Sequence, residues 1–225
     1  MPKITRLERQ KRNKERVNVY LDGEFAFGLA ILEAARLRVG QELSDDEIRT
    51  LKARDTYHKA FDRVLRLLGR RARTEREIRE YLRKHGYTDE VVEEVVQRLH
   101  ALNLLDDAAF AREWIENRTR HRPRGRQALI SELRRKGVAQ ETIEAALDDA
   151  SLDERTLAIE AAERYVIRLQ TIDDYATFAR KLGSYLARRG FSWEAARHAV
   201  NHYWQLRTQD NVRPDFDNEH WNTEE

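Results

Sequence analysis

The chain has 225 residues, of which 40% are apolar and 36% are charged, and it contains only three prolines and nine glycines. This composition is typical of helices joined by short turns, with enough apolar residues for one large domain or several small ones. The absence of cysteine excludes disulfides and thiolate chemistry and fits a reducing compartment. The longest apolar run, residues 25–32, is too short to span a bilayer, and the basic N-terminus lacks an apolar signal segment, so we expect a cytoplasmic protein.

The two ends of the chain carry opposite charge. Residues 1–16 contain seven lysines and arginines against two glutamates, whereas residues 208–225 contain six acidic residues against one arginine. A basic segment attracts polyanions through neutralisation of their phosphates. We expect the acidic tail to be flexible and to weaken nonspecific DNA binding by competing for the same surface. The alternative is that both ends are ordinary solvated termini.

Residues 17–29, VNVYLDGEFAFGL, alternate apolar and polar on both sides of Asp22-Gly23, which predicts a β-hairpin. A two-residue loop would place the two valines on the face opposite the two phenylalanines. A three-residue loop that begins at Leu21, with Gly23 in the left-handed conformation, would place all of them on one face. We favour this second register because it buries one apolar side of the hairpin, which comprises Val17, Val19, Phe25 and Phe27.

An isolated hairpin is only marginally stable, so helices must cover its apolar face. We predict one helix after Ala30 and another that begins at SDDEIRTL, where Ser44 and Glu47 form a capping box. This small N-terminal module ends near residue 55.

Three later stretches resemble one another and lie about fifty residues apart. They are YLRKHGYTDEVVEEVVQRL (81–99), ELRRKGVAQETIEAALDDA (132–150) and YLARRGFSWEAARHAVNHY (185–203). Each contains a glycine, with two apolar residues spaced by one helical turn before it, an apolar residue directly after it and a glutamate four residues after it. The pattern predicts a helix, a left-handed glycine cap and a second helix with an acidic first turn. The residues in chain order are Ile78, Leu82, Gly86, Tyr87 and Glu90; Leu129, Leu133, Gly137, Val138 and Glu141; and Leu182, Leu186, Gly190, Phe191 and Glu194.

A further amphipathic helix precedes each of these pairs. Its apolar residues are Phe61, Val64, Leu65 and Leu68 in the first copy, Phe110, Trp114 and Ile115 in the second, and Leu157, Ala161, Tyr165 and Leu169 in the third. The sequence therefore predicts a mainly α protein with three tandem three-helix repeats in an elongated, curved array, preceded by the hairpin module. The predicted boundaries are 1–55 for the module, 56–107, 108–152 and 153–207 for the repeats, and 208–225 for the tail.

Basic residues cluster where the repeats begin and where their second helices end. Residues 118–136 contain eight arginines and lysines against the single acid Glu132, and residues 63–84 contain nine against three glutamates. Solvated helix faces with i,i+4 ion pairs would explain the cluster at 63–84. They explain the cluster at 118–136 poorly, because no nearby acid offsets its arginines. We therefore predict a surface for a polyanion or an acidic partner. Its candidate residues are Arg70, Arg71, Arg73, Arg83, Lys84, Arg118, Arg120, Arg122, Arg124, Arg126, Arg134, Arg135, Lys136, Arg188 and Arg189.

A helix-turn-helix that reads DNA bases would be the simplest alternative for residues 81–99. In that motif the N-terminal part of the second helix enters the major groove. Here that helix begins TDEVVEEVV, and its four acids would face phosphates. Base-specific recognition is therefore disfavoured.

No motif predicts catalysis or a cofactor. His198 and His202 share a helix face, but no third ligand and no zincin glutamate accompany them, so a surface or partly packed pair is the better interpretation. Paired aspartates near the repeat boundaries, such as Asp173-Asp174, are typical helix caps. There is neither a glycine-rich phosphate loop nor a Gly-x-Ser-x-Gly elbow. We expect no catalytic residue, no metal and no cofactor.

The chain resembles the RecX family. The resemblance is carried by RTEREIREYLRKHGY (73–87), LLDDAAFAREWIENR (104–118) and PRGRQALISELRRKGV (123–138), and the N-terminal segment 4–29 looks like the hairpin-bearing extension of the longer members. It covers about residues 4–207, and the third repeat matches more loosely. The most specific residues are Leu105, Asp106, Asp107, Phe110, Ala111, Trp114 and Arg118, followed by Pro123, Gly125, Leu133, Lys136 and Gly137.

This resemblance implies a non-enzymatic modulator of the RecA recombinase. Such a protein binds along the groove of the RecA filament on DNA and inhibits ATP hydrolysis, strand exchange and co-protease activity, which tempers recombination and the SOS response. It also implies weak nonspecific contact with DNA, and neither a membrane nor a small-molecule substrate as partner. The alternative is a nonspecific single-stranded DNA-binding protein that acts by competition for DNA.

Overall fold

The computed structural model describes residues 1–210, which fold as a small antiparallel sheet followed by helices. The strands are β1 (Ile4–Arg9), β2 (Arg16–Leu21) and β3 (Glu24–Ala30). The helices are α1 (Ile31–Ala34), α2 (Asp45–Leu68), α3 (Glu75–Lys84), α4 (Asp89–Ala101), α5 (Asp107–His121), α6 (Arg126–Lys136), α7 (Gln140–Asp149), α8 (Glu154–Val166), α9 (Tyr175–Arg188) and α10 (Trp193–Asp210), with a 3₁₀ turn at Ile167–Leu169. The chain divides between Asp106 and Asp107 into two compact units.

The predicted hairpin is present, but its register is not the one that we favoured. Leu21 pairs with Glu24, so the loop is the two-residue turn Asp22-Gly23, with φ of 49° and 93°. These positive values are typical of the type I′ turn that matches strand twist. A bulge then shifts the register, because Val19 faces Phe27 whereas Tyr20 faces Phe25.

Because of the bulge, only one of the two phenylalanines of β3 lies in the core. Phe27 joins Val17 and Val19 on the buried face, but Phe25 lies on the outer face and is 60% exposed. One extra residue in β3 reverses the side-chain alternation between the two phenylalanines. The prediction that all four apolar residues share one face is therefore wrong for Phe25. The separate prediction that Gly23 adopts the left-handed conformation is confirmed.

The strand β1, which pairs with β2 to give the order β1-β2-β3, was not predicted from the sequence. Ile4 of β1 is buried against the sheet core with Leu29 and Leu51. Its apolar pattern is weak because charged residues fill the exposed positions of ITRLER. The basic N-terminal segment is thus partly a structural strand.

The helix α2 belongs to the core of the module and to the core of the first repeat. It begins with the predicted capping box, in which the Ser44 hydroxyl accepts from the Glu47 N–H and the Glu47 carboxylate accepts from the Ser44 N–H. Leu51 packs against the sheet, whereas Val64 packs in repeat 1. The predicted boundary at residue 55 falls inside this helix, at a buried ion pair between Asp55 and Arg16.

The predicted turn of the three repeats is confirmed in every copy. Gly86, Gly137 and Gly190 have φ of 80°, 87° and 80°. In each copy the N–H after the glycine donates to a leucine carbonyl five residues earlier, at 3.3, 3.2 and 3.2 Å. This is the Schellman arrangement that closes a helix C-terminus.

Three separate cores confirm the repeat architecture. The apolar pair before each glycine is fully buried: Ile78 and Leu82, Leu129 and Leu133, and Leu182 and Leu186. Each pair packs with a preceding helix and a following helix to form a three-helix cluster. The described chain is thus mainly α, as predicted, with a small sheet at its N-terminus. Helix α10 continues to Asp210, beyond the predicted end of repeat 3, and the rest of the predicted tail lies outside the described residues.

Candidate partner-binding surface on the repeats

Basic residues occupy the same position in each repeat, at the end of its second helix. The last turn of the second helix is basic in all three copies, with Arg83 and Lys84 in α3, Arg134 to Lys136 in α6, and Arg188 in α9. Cations at a helix C-terminus interact favourably with the negative end of the helix dipole. The Schellman turn then leaves these side chains at the surface of the repeat.

In repeat 1, three of the five predicted contact residues are neutralised locally. Arg71 makes two hydrogen bonds of 3.1 Å to the Glu77 carboxylate, and Arg73 lies 3.9 Å from it. The Arg83 Nε donates to Asp89 at 2.8 Å. Arg70 and Lys84 are exposed and have no carboxylate partner among residues 1–210.

Repeat 2 contains a compact ion cluster around Glu132. The carboxylate of Glu132, whose side chain is 12% exposed, accepts from the Trp114 Nε1 at 2.9 Å and from the Arg118 Nε at 2.7 Å. Arg124 lies 3.7 Å from the same carboxylate. Arg118 and Lys136 also lie over the Trp114 ring, 4.4 and 5.4 Å from its centroid. Most of the bonding capacity of Arg118 is therefore used inside the repeat.

Two further arginines of repeat 2 also have acidic partners. Arg120 pairs with Glu116 at 2.6 Å one turn earlier, and Arg126 pairs with Asp148 of α7 at 2.8 Å. The premise that no acid offsets the arginines of 118–126 is therefore wrong. Asp148 is distant in sequence, and Glu132 serves two arginines at once, so a count along the chain could not find this compensation.

Three cations of repeat 2 remain available for a partner. Arg122 and Arg135 are exposed and have no carboxylate partner in the described part of the chain, and Arg135 bonds only a local carbonyl. Arg134 donates to the neutral side chain of Gln140 at 2.7 Å. These residues keep a net positive charge at both ends of α6.

The structure brings the basic turn of repeat 3 against the start of α6. The Gly125 N–H donates to the Arg189 carbonyl at 3.0 Å, and the Gln127 N–H donates to the Gly190 carbonyl at 3.2 Å. A Cβ on Gly125 would lie 2.2 Å from the Gly190 oxygen, so this approach requires glycine. Residues 125–128 of repeat 2 therefore contact residues 189–191 of repeat 3, and we call the residues around this contact, 122–126 and 188–189, the joint patch.

Within the joint patch, Arg189 has a packing role and Arg188 does not. The Arg189 guanidinium lies 4.6 Å from the Tyr185 ring centroid, and that ring stacks on Tyr165 at 4.0 Å. Arg188 is exposed and has no acidic partner among residues 1–210. The cations of the joint patch that are left for a partner are thus Arg122 and Arg188.

The roles of Gly125 and of the carboxylate at the start of α6 were not predicted from the sequence. Gly125 is the N-cap of α6 and offers no side-chain cap, and the Arg126 N–H donates instead to Glu154 of α8 at 2.6 Å. An anion at a helix N-terminus satisfies an unpaired donor and the helix dipole. The only sequence signal was a glycine where the first repeat has the N-cap threonine Thr74.

The acidic start of α4 is also used within its repeat. Asp89 binds Arg83, and Glu93 accepts from the Arg79 guanidinium at 2.9 Å, which holds the pKa of Glu93 below its usual value. These ionised carboxylates lie where a base-reading helix would need donors. The geometry agrees with the interpretation that residues 81–99 do not read DNA bases.

The histidine pair adds no metal site to this surface. His198 is exposed, and the ring of His202 lies 5.1 Å from that of Tyr203. Within residues 1–210 no group of three or more His, Asp or Glu side chains is arranged to hold a metal ion. No helix in the same range is both long enough and apolar enough to cross a membrane.

Four models of one protein family match the chain in sequence order. They describe the N-terminal domain of regulatory protein RecX at residues 2–44 and the first, second and third three-helix domains of RecX at 60–99, 106–147 and 153–200. The matches coincide with the sheet module and with the three helical cores.

Curated proteins and solved structures give the same relationship. The chain is 32% identical over 203 residues to "Regulatory protein RecX" of Bacillus licheniformis, covering 89% of this chain and 77% of the relative. It is 30% identical over 203 residues to the protein of the same name from Clostridium tetani, covering 88% and 93%. A structure described as "Crystal structure of regulatory protein RecX" is 29% identical, with a TM-score of 0.73 over 89% of this chain and all of the other. The RecX structure from Lactobacillus salivarius shares the fold at 23% identity, with a TM-score of 0.57 over 68% of this chain and 98% of the other. This chain belongs to the RecX family of regulatory proteins.

Proposed function

We propose that this protein is a non-enzymatic regulator that binds RecA filaments on DNA along the filament groove. It would inhibit RecA ATP hydrolysis, strand exchange and co-protease activity, and so modulate recombination and the SOS response. Family membership over most of the chain supports the regulatory role. The observation on which the site proposal rests is the joint patch, where Arg122 and Arg188 are exposed without an acidic partner among the described residues.

The proposed contact is electrostatic and spread over several weak points. Arg122, Arg135 and Arg188 would meet acidic protein surface or DNA phosphates of the filament, because they have no carboxylate partner among residues 1–210. Each exposed charge pair contributes less than about 1 kcal/mol on its own. Repeats that are joined in one chain act together through effective concentration, which makes the combined contact much stronger than any single one.

The paired arginines have a different role in this proposal. Arg118 and Arg124 hold Glu132, so they shape the surface of repeat 2 and contribute only their exposed edges to a partner. Arg120 and Arg126 can exchange their carboxylate partners for a partner's anions at little cost, because both pairs are solvent-exposed.

The test is a titration of the protein into RecA filaments on single-stranded DNA while ATP hydrolysis is followed. The triple variant Arg122→Glu, Arg135→Glu and Arg188→Glu is expected to inhibit about 10-fold less well, with a smaller deficit at high salt because exposed charges are screened. The matched control reverses Arg164, Arg168 and Arg180, which are exposed in the same unit, and is expected to inhibit normally. Equal potency of the two triple variants at every salt concentration would refute the site.

The second candidate is a nonspecific single-stranded DNA-binding protein that competes for DNA, since the same unpaired arginines fit phosphates. That function requires tight binding to bare DNA with a steep salt dependence. It also requires equal inhibition of an unrelated ATPase that depends on single-stranded DNA. Inhibition confined to RecA would reject it.

The acidic tail also belongs to the proposal. Removal of the tail, residues 208–225, deletes six acidic residues and one arginine. If the tail competes for the basic surfaces, the truncated protein will bind DNA more tightly at low salt, and the difference will vanish at high salt. Unchanged affinity at low salt would contradict this role.

A further inference from the structure

The outer face of the N-terminal sheet differs from its core face in carrying an aromatic row. Arg6, Tyr20 and Phe25 are cross-strand neighbours on β1, β2 and β3. The Arg6 guanidinium lies 3.8 Å from the Tyr20 ring centroid, and the Tyr20 and Phe25 rings meet edge to face at 5.9 Å. The row presents a guanidinium plane and an open phenyl ring side by side.

The exposure of Phe25 results from the two-residue turn, which pairs Phe25 with Tyr20 on the outer face. The bulge that follows turns Phe27 into the core and leaves Phe25 outward, where it is 60% exposed. An unburied phenylalanine forgoes about 2 kcal/mol of hydrophobic stabilisation.

The rest of the outer face is polar. The row of Glu8, Asn18 and Gly28 lies beside the aromatic row. The side chains of Gln10 and Arg16 cover Gly28, at 3.0 and 3.3 Å from the position that a Cβ of residue 28 would occupy. The Glu8 carboxylate accepts from the Tyr20 hydroxyl at 3.1 Å and lies 3.6 Å from Arg6. Its charge is therefore already balanced within the sheet.

Exposed basic residues lie at the ends of the strands. The loop between β1 and β2 exposes Lys11, Arg12 and Lys14, and Lys3 is exposed at the start of β1. None of these has an ion pair among residues 1–210. The loop lies about four residues along the strands from the aromatic row, which is about 13 Å. A chain of phosphates that follows the strands would thus meet cations while its bases reach the aromatic row.

We propose that this sheet face binds single-stranded nucleic acid, with a base stacked on Phe25, another on the guanidinium of Arg6, and phosphates held by Lys11, Arg12 and Lys14. Stacking planes and cations on one solvent-exposed sheet are the combination that holds unpaired bases without reading sequence. A duplex does not fit the row, because its bases are already stacked on one another. The proposal is independent of the RecA regulation proposed above, since it concerns bare nucleic acid.

The test measures binding of the full chain to fluorescent oligothymidylate by anisotropy, with no recombinase present. Phe25→Ala is expected to weaken binding about 10-fold. Phe25→Leu keeps the apolar surface and is expected to weaken binding as much, whereas Phe25→Trp is expected to restore it. Leu32→Ala is the matched control, since Leu32 is 79% exposed in the same unit but lies on α1, and it is expected to bind normally.

Other sites on the chain can mask a change in overall affinity, so a second measurement locates the contact. A bromodeoxyuridine oligonucleotide is photocrosslinked to the wild-type protein and the adduct is mapped by mass spectrometry. An adduct at Tyr20 or Phe25 that a duplex of equal length does not produce supports the proposal. Unchanged affinity of Phe25→Ala together with an adduct elsewhere overturns it. Weaker inhibition of RecA filaments by Phe25→Ala, with normal oligothymidylate binding and no adduct on the sheet, would show that a protein binds this face and would also overturn the proposal.

Discussion

The turns of repeat 1 and repeat 3 have the same local design and different surroundings. Gly86 and Gly190 both have φ of 80°, and both are followed by the Schellman hydrogen bond to a buried leucine. A Cβ on Gly86 would meet nothing within 4 Å among the described residues, whereas a Cβ on Gly190 would lie 2.2 Å from the Ala128 nitrogen. Gly86 therefore closes the end of its own helix, whereas Gly190 also packs against the neighbouring repeat.

The difference shows that a repeated sequence motif does not have a single structural role. In repeat 3 the carbonyls of residues 189 and 190 accept hydrogen bonds from the start of α6, so the turn is part of the joint patch. The basic residue beside each turn then has a different neighbourhood. Lys84 lies next to Arg83, which Asp89 neutralises, whereas Arg188 lies next to the basic start of α6.

The largest expected effect is that of Gly190→Ala. The added Cβ would overlap the backbone of Ala128 and would impose left-handed strain, so we expect a loss of about 3 kcal/mol or more. Urea unfolding of the full chain followed by circular dichroism measures it. The control Gly183→Ala lies inside α9, where a Cβ would meet no other part of residues 1–210 within 4 Å, and it is expected to stabilise by about 0.5–1 kcal/mol. A Gly190→Ala variant as stable as the wild type would show that the two repeats do not pack in this way.

Gly86→Ala is expected to cost about 1 kcal/mol. Among the described residues no atom opposes the methyl group there, so the cost comes from the left-handed backbone conformation. The same unfolding experiment gives the value, and hydrogen exchange at the end of α3 should show the local loss. A cost as large as that of Gly190→Ala would remove the distinction between the two turns.

Charge reversal beside each turn extends the comparison to function. Arg188→Glu is expected to weaken inhibition of RecA ATP hydrolysis about threefold, and Lys84→Glu by less than that, because only Arg188 belongs to the joint patch. Both variants should unfold at the wild-type urea concentration, since neither side chain has an acidic partner in residues 1–210. A larger effect of Lys84→Glu would move the contact surface to repeat 1.

The smallest expected effect distinguishes the helix caps of the two repeats. Helix α9 is capped by Asp174, whose carboxylate accepts from the Thr177 N–H at 2.7 Å, and α3 is capped by the hydroxyl of Thr74. The Thr177 hydrogen bonds lower the pKa of Asp174 from its ordinary value of 3.8. The cap therefore stabilises α9 fully above pH 3.8, and this contribution is lost as pH falls through the lower pKa of the folded state.

Carboxyl NMR titration should give a midpoint for Asp174 below 3.8. In Asp174→Ser the hydroxyl replaces the carboxylate as the cap, as Thr74 does in repeat 1, so the first turn of α9 should become insensitive to acid in this range. A titration midpoint at or above the ordinary value would contradict the cap.

The hairpin shows how far a pattern of alternation predicts a fold. Asp-Gly between two apolar runs correctly predicted a hairpin and a left-handed glycine. The favoured register was wrong because the turn has two residues and a bulge at Ala26 then restores Phe27 to the core face, and the apolar pattern alone cannot distinguish this combination from a longer loop. The exposed position of Phe25, which underlies the proposed nucleic-acid site, follows from the two-residue turn that pairs it with Tyr20.

The candidate site shows the corresponding limit for charge. The sequence located the basic clusters, but it did not show which arginines are neutralised. Arg126 is neutralised by Asp148 of another helix, and Glu132 serves both Arg118 and Arg124. An ion pair depends on where side chains meet in space, so counting charges over a window of sequence overestimated the unpaired charge of residues 118–126.

The sequence by itself determined the three repeats, their glycine turns, their buried leucines and the family, because these depend on local periodicity and on the backbone conformation of single residues. Only the tertiary structure decided that Gly190 packs against α6, which arginines remain unpaired, and which face of the sheet exposes Phe25. These features depend on contacts between segments far apart in the chain, which no local pattern encodes.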